Sequence, residues 1–475
     1  MTENKKIVSK PVKEKLDPML VKISLIVVFG SLAPLLDSTM VNIAIKTISV
    51  DLKSILSVIQ WVTTGYVLAM AVSVPISGWA VNRFGGKKIY IFSLFIFLLG
   101  SIFSALSWNI ESLIIFRFLQ GIGAGLMMPT LQTMLVQAAG GRNLGSLMSI
   151  VSVPAVLGPI LGPMLGGFII TSLSWRWIFY INIPITIIAL ILALYGLPKD
   201  KHSVDKQTLD ILGILFLSSA FAILIYGISQ ISSHKGLNGK EVLIPLIMGL
   251  LLLFIFVLYA LKTKGRPVVD MHLFKQTNFS ASGVLLFISG IATNGAMFLL
   301  PLFYQQVRGE TVLLTGIAMI PQGLGMLITR SQVGKLTDRI SARVIVLVSL
   351  IITVIGTLPF VFADSQTSKI LLAAALFIRG AGLGGVAIPI MASAYIGLNK
   401  KQIPEASIAT RILQTIGGAF GSAVLATIVQ HQLSSNKLIG LQAVSSAYNV
   451  SFLWSIGFSI LAIIPALFLP KGKMQ

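Results

Sequence analysis

Long apolar runs dominate this sequence, and each is long enough to cross a membrane. Crossing about 30 Å of hydrocarbon takes about 20 mainly apolar residues in a helix. Because lipid offers no hydrogen-bond partners, the backbone of such a run must be helical. The sequence therefore predicts an all-α, polytopic membrane protein with fourteen transmembrane helices. The predicted spans lie roughly at 20–45, 58–80, 88–107, 110–136, 144–170, 177–197, 208–231, 241–262, 279–304, 313–335, 342–362, 368–396, 404–431 and 447–470.

The charged residues are few and unevenly distributed. Only 11% of the residues are charged, against about 25% in soluble domains, which excludes an ordinary soluble enzyme. The 36 Lys and Arg residues lie in short clusters between the apolar runs, mostly on the side that carries both termini. The positive-inside rule then places the terminal tails, 1–19 and 471–475, in the cytoplasm. The net charge of +21 thus indicates topology and affinity for anionic lipid, and no nucleic-acid partner is expected.

Several kinds of chemistry lack the residues they would need. The absence of cysteine excludes thiolate nucleophiles and Cys-based metal sites, and the four histidines show no ligand spacing. An enzyme embedded in the membrane would need clustered His, Cys or acidic residues within spans. A membrane sensor, the less probable alternative, would usually carry a soluble domain. No P-loop pattern occurs, so ATP is not the expected energy source, and we predict neither an enzyme nor a metal site.

Local patterns recur along the chain in the same order, at a separation of about 260 residues. They pair Gly78 with Gly334, Arg117 with Arg379 and Gly158 with Gly417. The nearly constant offset predicts two related six-helix bundles at 20–197 and 279–470. The linker between them, 198–278, contributes two inserted transmembrane helices. Duplicated bundles that face each other across a central cavity are the common plan of secondary transporters.

Polar and glycine-rich motifs mark four places in the first bundle. They read L-D-S-T-M-V-N in span one, G-W-A-V-N-R-F-G-G-K-K after span two, R-F-L-Q-G-I-G in span four and G-P-I-L-G-P-M-L-G-G in span five. A tryptophan motif, W-R-W-I-F-Y-I-N-I-P, follows at Trp175, and R-I-L-Q-T-I-G-G begins at Arg411. The candidate residues in the four motifs are Asp37 and Asn42; Gly78, Asn82, Arg83, Gly86 and Lys87; Arg117 and Gln120; and Gly158, Pro159, Gly162, Pro163, Gly166 and Gly167.

Together these motifs resemble those of the major facilitator superfamily, in particular its fourteen-span drug:proton antiporters of the EmrB and QacA type. The resemblance covers essentially the whole chain. It implies a monomeric multidrug exporter in a bacterial cytoplasmic membrane. Such a protein exchanges lipophilic drugs for protons, contacts membrane lipids and uses the proton gradient in place of a cofactor.

The resemblance also implies roles for individual motifs. The loop that begins at Gly78 would gate the cytoplasmic side, the Arg117 motif would be linked to the proton, and the Gly158 motif would act as a hinge against proton leak. One departure is Asn82, where the family usually has aspartate, so a charge-based latch there should be weaker. The second-bundle copy keeps Asp338 and Arg339. Gating is therefore expected to depend on that copy, or on hydrogen bonds in place of ion pairs.

Asp37 is the only acidic residue well inside a predicted span. Counted along the helices, it lies about 12 Å from the outer end of span one, and Arg117 lies about 10 Å from the outer end of span four. The two side chains could therefore pair across the cavity. Burial disfavours an ionised carboxyl group and a nearby guanidinium favours it, so movement of Arg117 would control the proton on Asp37. The alternative is a fixed pair that only orients two helices.

The cargo is expected to be lipophilic, because Met, Phe and Trp side chains suit an adaptable apolar cavity. With a single acidic residue inside the spans, a lipophilic monovalent cation or a neutral amphiphile fits better than a dication. The alternative is an exporter of one physiological metabolite, lipid or siderophore on the same scaffold. The residues predicted to line the cavity are Asn42, Gln120, Met127, Phe298, Tyr304, Met319 and Trp454.

Overall fold

The computed structural model describes most of the 475-residue chain and is helical throughout the part it describes. Within that part no β-strand occurs, so the all-α prediction is confirmed. The described residues are 17–54, 56–59, 61–139, 144–151, 153–200, 209–233, 239–263, 267–337, 339–399, 402–435 and 440–470.

Within the described residues, nine helices come before the predicted insertion. They are α1 (Pro18–Asp51), α2 (Leu56–Ile59), α3 (Trp61–Phe84), α4 (Gly86–Ala105), α5 (Ile110–Ala139), α6 (Leu144–Val151), α7 (Val153–Ser172), α8 (Trp177–Tyr180) and α9 (Asn182–Gly196). The insertion contains α10 (Ile211–Ser233), α11 (Lys240–Lys262) and a 3₁₀ turn (Met271–Lys275). The last group is α12 (Thr277–Gln306), α13 (Val312–Ala318), α14 (Ile320–Thr337), α15 (Ala342–Thr357), a 3₁₀ turn (Leu358–Val361), α16 (Lys369–Ala394), α17 (Ile403–Ser435), α18 (Leu441–Leu461) and α19 (Ile463–Ala466).

Within the described residues, 13 helices are long and apolar enough to cross a membrane. They correspond to thirteen of the fourteen predicted spans. The remaining prediction, 144–170, falls on α6 and α7, which are separated by residue 152, outside the described part of the chain. The helices are therefore compatible with fourteen spans. Both terminal tails lie wholly or almost wholly outside the described residues, so their cytoplasmic location stays a prediction.

The two halves share one hydrophobic core at a single end of the molecule. We call this end the termini side, because α1 begins there and the last described residues end there. This joint core combines Val136 of α5 and Leu147 of α6 with Val333 of α14 and Ile408 of α17. At the opposite end each half has its own core, one around Met40 and the other made of α12, α16, α17 and α18 residues. The structure is thus closed on the termini side.

The insertion packs along one side of the junction between the halves. Helix α10 lies against both α3 and α17. Ser218 of α10 donates a hydrogen bond to the Val72 carbonyl of α3 at 2.9 Å, and Trp61 stacks on Tyr226 with ring centroids 6.1 Å apart. Asp210 ties the insertion together, since its carboxylate accepts hydrogen bonds from the Tyr259 hydroxyl and two backbone N–H groups. The insertion therefore bridges the two halves.

Candidate functional site

A fully buried carboxylate lies at the centre of the first half. Asp37 of α1 is 0% exposed, and three side chains donate hydrogen bonds to it. Arg117 of α5 forms an ion pair with Oδ2 at 2.5 Å. Gln120 and Asn182 donate to Oδ1 at 3.2 and 2.8 Å. Because an uncompensated carboxylate in this environment would cost several kcal/mol, these donors are what makes an ionised Asp37 tolerable.

Arg117 is held as closely as the carboxylate it pairs with. Its Nε donates to the backbone carbonyl of Val62 at 3.1 Å, and it also donates to the Gln120 side-chain oxygen. The guanidinium carbon lies 4.1 Å from the centre of the Tyr66 ring and 5.7 Å from that of Phe179. Aromatic faces stabilise a desolvated cation by about 2 kcal/mol. Helices α1, α3, α5, α8 and α9 thus meet at one buried charge pair.

The sequence predicted the pairing of Asp37 with Arg117 from their matching depth in the membrane. It did not predict the contacts of this pair with Asn182 and Tyr66. Asn182 begins α9 and is 0% exposed, and Tyr66 is 2% exposed. An amide at the start of an apolar span was the available signal for Asn182, because a buried amide needs a polar partner. Nothing local to α3 marked Tyr66, whose position depends on how α3 packs against α5.

The glycines of the span-five motif bring α7 close to the part of α1 that carries Asp37. Gly158, Gly162 and Gly166 are four residues apart and therefore lie on one face of α7. Thr39 donates to the Gly158 carbonyl at 3.1 Å, and a methyl group on Gly166 would lie 3.3 Å from the Cα of Met40. A methyl group on Gly162 would collide with Thr39. This stripe therefore holds α1 in place beside the carboxylate.

The other residues of that motif add less. A methyl group on Gly167 would meet nothing within 4 Å, so this position is not part of the packed stripe. Pro159 and Pro163 lie within α7, and their side chains are outside the part of the chain that the structure describes. The contacts are those of close helix packing, and the hinge role of the motif stays a prediction.

The loop between α3 and α4 is bonded mainly within its own half. Lys87 donates through Nζ to the carbonyls of Leu194 and Leu197 at the end of α9, at 2.7 and 2.8 Å. The backbone N–H of Lys87 donates to Asp200 at 3.0 Å. Gly85 has a φ of +97°, a conformation that favours glycine. This loop therefore fastens α4 to the end of α9.

The remaining predicted loop residues make few contacts of note. Gly86 lies against Met134 of α5, and Asn82 and Arg83 are partly exposed near the end of α3. Arg339 is exposed on the termini side, and Asp338 lies outside the described residues. Whether the second copy compensates for Asn82 thus stays a prediction.

The first glycine of each loop copy lies where the two halves cross. A methyl group on Gly78 of α3 would lie 2.6 Å from Ile408 Cδ1 of α17. A methyl group on Gly334 of α14 would lie 2.7 Å from the Cβ of Ser149 and 2.9 Å from the Gly145 carbonyl oxygen, both on α6. The repeat predicted from sequence thus coincides with two equivalent crossings on the termini side. Both depend on a residue without a side chain.

Enlarging the second crossing is expected to open the termini side. In Gly334→Leu the new side chain must displace α6, because backbone atoms stand in its way. We expect a single cysteine at position 409, now a buried alanine in the joint core, to react with a water-soluble maleimide about tenfold faster in this background. The chain has no cysteine of its own, so the labelling has no background. Gly457→Leu is the matched control, because nothing lies within 4 Å of that position. Equal labelling in both variants would contradict the closed crossing.

The residues predicted to line a cavity fall into two groups. Asn42 is exposed and accepts a hydrogen bond from Thr63, and Phe298 and Trp454 are 40% and 53% exposed. The others are packed inside one half in this conformation, since apolar helices carry no signal for which side faces the core, and their cavity role stays a prediction. Gln120 belongs to the Asp37 network, Met127 to the first-half core, and Tyr304 and Met319 to the outer core of the second half.

The tryptophan motif joins three helix ends on the side opposite the termini. Trp175 Nε1 donates to Asp51 Oδ2 at 2.8 Å, and Arg176 donates to the same oxygen at 3.1 Å. Arg176 also donates to the Ser107 carbonyl at 3.2 Å. The indole hydrogen bond, supported by Arg176, lowers the pKa of Asp51 from its ordinary value. The end of α1 is therefore held by a charge-dependent contact.

This contact is expected to make a small pH-dependent contribution to stability. Because the pKa of Asp51 is lowered on folding, the contribution is present at neutral pH and is lost as the pH falls through and below about 4. Trp175→Phe should therefore lower the thermal midpoint of the purified protein more at pH 7 than at about pH 3. Trp177→Phe, which changes an exposed indole of the same motif, is the control. A deficit that does not vary with pH would mean that Trp175 contributes only packing.

Comparison with protein families gives one match that covers most of the chain. The model of the Major Facilitator Superfamily matches residues 27–422. Those residues include Asp37, Arg117, both crossings and Arg411. The match therefore extends over both halves and the insertion between them.

Among curated proteins, the chain resembles bacterial exporters. It is 31% identical to the multidrug resistance protein B homolog of Mycobacterium tuberculosis strain H37Rv, with 97% of this chain and 92% of that protein aligned. It is 30% identical to the multidrug export protein EmrB of Haemophilus influenzae, over 85% of this chain and 79% of that protein. It is 28% identical to EmrB of Escherichia coli strain K12, over 83% and 77%.

Solved structures share the fold at low sequence identity. A double-tryptophan mutant of XylE aligns over 96% of both chains with a TM-score of 0.68 and 16% identity. The human organic anion transporter MFSD10 aligns over 93% of this chain and 100% of its own length, with a TM-score of 0.62 and 17% identity. At these identities the likeness concerns the fold alone.

Proposed function

The chain belongs to the Major Facilitator Superfamily, and we propose that it exports lipophilic cations or neutral amphiphilic drugs in exchange for protons. The observation that carries the proposal is the buried ion pair of Asp37 and Arg117, the only ion pair with both side chains 0% exposed among the described residues. The names of its multidrug-exporting relatives support the cargo class. The closed termini side and separate cores at the opposite end support alternating access.

The proton step follows from the contacts of Asp37. In this conformation water cannot reach the carboxylate, whose oxygens already accept three hydrogen bonds. A proton can bind only when Arg117 moves away, and a protonated carboxyl group then holds Arg117 less strongly than a carboxylate does. Release of that proton on the other side of the membrane restores the pair. Proton loading and the position of Arg117 are thereby coupled.

Cargo and proton exchange by using the same carboxylate at different times. When Arg117 withdraws, Asp37 either takes a proton or faces a cationic cargo, and one excludes the other. Proton entry from outside displaces the cargo outward, and proton loss to the cytoplasm prepares the site for the next molecule. A neutral amphiphile would instead bind where Arg117 lies when it is paired with Asp37. It would thereby favour the conformation in which Arg117 has withdrawn.

The proposed function also implies a location, an oligomeric state and an energy source for the protein. We place the protein in the bacterial cytoplasmic membrane as a multi-pass monomer, with both termini in the cytoplasm. It contacts membrane lipids, acts on no nucleic acid and catalyses no chemical reaction. Its energy source is the proton gradient, without a cofactor.

Gradient-driven uptake into inverted vesicles tests this function. Vesicles that contain the chain, with an acid interior, should accumulate ethidium and a neutral fluorescent amphiphile. Accumulation should stop when an ionophore collapses the proton gradient. Vesicles without the chain provide the background. Accumulation that survives the collapse would contradict proton coupling, and failure with every drug of a broad panel would favour the single-metabolite alternative.

A further inference from the structure

The membrane-spanning helices of the second half carry arginine without matching carboxylates. Arg379 of α16 and Arg411 of α17 both lie within spans. Among the described residues of the second-half spans, the one acidic residue is Glu405 in the first turn of α17. Glu405 accepts a hydrogen bond from the backbone N–H of Asp270. The positive charge of this half is therefore not offset within the membrane.

Arg117, Arg379 and Arg411 differ in what holds them. Arg117 is paired with a carboxylate, and its repeat counterpart Arg379 donates to the Gln322 side-chain oxygen at 2.8 Å. Arg411 has neither kind of partner, since the described part of the chain contains no hydrogen bond or ion pair to its side chain. A guanidinium without a counter-charge inside a membrane protein is costly and indicates a functional site.

Arg411 lies at the junction of the two halves, next to the joint core. Helix α17 packs against α3 and α5 of the first half. Ile408 and Ile412, on either side of Arg411 along the helix, belong to the joint core that closes the termini side. Arg411 itself is partly exposed and lies near Tyr66, whose ring covers Arg117. The guanidinium of Arg411 therefore lies next to the joint core of the termini side, on the side of α17 near the Asp37–Arg117 pair.

Other hydrogen-bond donors continue along the same face of α17. Gln414 and Gly418 follow Arg411 by three and seven residues, which places all three on one side of the helix. Gln414 is partly exposed. Asn294 of α12 is exposed near the middle of its span, and its amide lies against Gly418, where a methyl group would collide with it. A guanidinium and two amides thus form a row of N–H donors.

We propose that Arg411, Gln414 and Asn294 bind the carboxylate or phosphate group of an amphiphilic cargo. Guanidinium groups pair with these anions through charge-assisted hydrogen bonds, and amide N–H groups complete the contacts. The inference rests on the proposed export of amphiphiles and adds a charge preference to it. At this site an acidic amphiphile binds more tightly than its neutral analogue and a cationic analogue less tightly than either, whereas a cationic drug is attracted to Asp37.

Equilibrium binding to the purified full-length chain tests this preference. The probes are 11-(dansylamino)undecanoic acid, its methyl ester and the matching trimethylammonium compound, which share one tail and differ in the head group. We expect the native chain to bind the acid about tenfold more tightly than the ester, as dansyl emission would report. Arg411→Gln should reduce this ratio to about one, and Arg411→Lys should retain most of it. Lys262→Gln, which removes an exposed charge at the end of α11, should leave it unchanged.

A second variant keeps the test decisive if Arg411→Gln does not fold. Gln414→Glu leaves Arg411 in place but puts a carboxylate one turn away, which should pair with it and exclude the acid. Ester binding should persist in this variant, which shows that the fold and the apolar part of the cavity are intact. A native chain that binds the acid no more tightly than the ester would overturn the anion site.

Two further measurements distinguish an amphiphile site from a site for free phosphate, and the charge preference from the proposed export. Inorganic phosphate should not displace the acid at equal concentration, because the tail contributes to binding; equal displacement would overturn the assignment to an amphiphile. If the chain binds acid and ester equally, gradient-driven uptake of ethidium should still occur. Failure of the proposed export would instead appear as loss of uptake while the acid still binds. The two hypotheses can therefore fail separately.

Discussion

Proton-driven drug uptake is expected to fall to the level of empty vesicles when Asp37 is replaced by Asn. The amide has nearly the shape of the carboxylate and can still accept a hydrogen bond from Arg117, so the helices should keep their arrangement, although the guanidinium left without its counter-charge lowers stability. It cannot bind or release a proton, and it removes the negative charge that attracts Arg117. Uptake of ethidium under an imposed gradient, in inverted vesicles, measures the effect.

Two controls separate coupling from folding in this experiment. Asp51→Asn changes the only other acidic residue of α1, at its far end, and should keep most of the uptake. Exchange of a labelled neutral amphiphile for its unlabelled form without a gradient should persist in Asp37→Asn, because a neutral cargo needs neither the charge of the carboxylate nor a proton there. Full gradient-driven uptake by Asp37→Asn would make the ion pair structural and remove the main support for the proposed antiport.

The second large effect is expected from Arg117→Met. Methionine can occupy much of the same space but leaves the 0%-exposed Asp37 without its cation. Loss of one partner of a buried ion pair costs about 3–5 kcal/mol when the other stays ionised. The thermal midpoint should therefore fall well below that of the native protein. Thermal unfolding of the purified protein at neutral pH measures it.

A double-mutant comparison gives this prediction its control. In Asp37→Asn/Arg117→Met no charge is stranded, so most of the stability should return. Arg379→Met makes the same change at the repeat-related position, where the partner is the amide of Gln322, so it strands no carboxylate and should cost less. A double variant no more stable than Arg117→Met would contradict an ionised Asp37 in the native protein.

The sequence by itself determined the helical class and the depth of the charged residues. A membrane span is recognised from local composition, because every apolar run of sufficient length must satisfy its backbone internally. The fixed rise per residue also gives depth, and for that reason Asp37 and Arg117 could be matched before any packing was known. The internal repeat could be predicted from the sequence for the same reason, because Gly78 and Gly334 occur at corresponding positions of two predicted spans.

The tertiary structure alone decided which way each side chain faces. Helices that are apolar on all sides carry no sequence signal for the direction of a residue around the axis. Met127, Tyr304 and Met319 therefore looked suitable for a cavity but pack inside one half. Asn182 reached Asp37, and Arg411 was left without a hydrogen-bond or ion-pair partner among the described residues, only because separate helices pack in this arrangement. The depth of a residue in the membrane follows from its position along the chain. The direction in which its side chain faces follows from the neighbours that the helix acquires on folding.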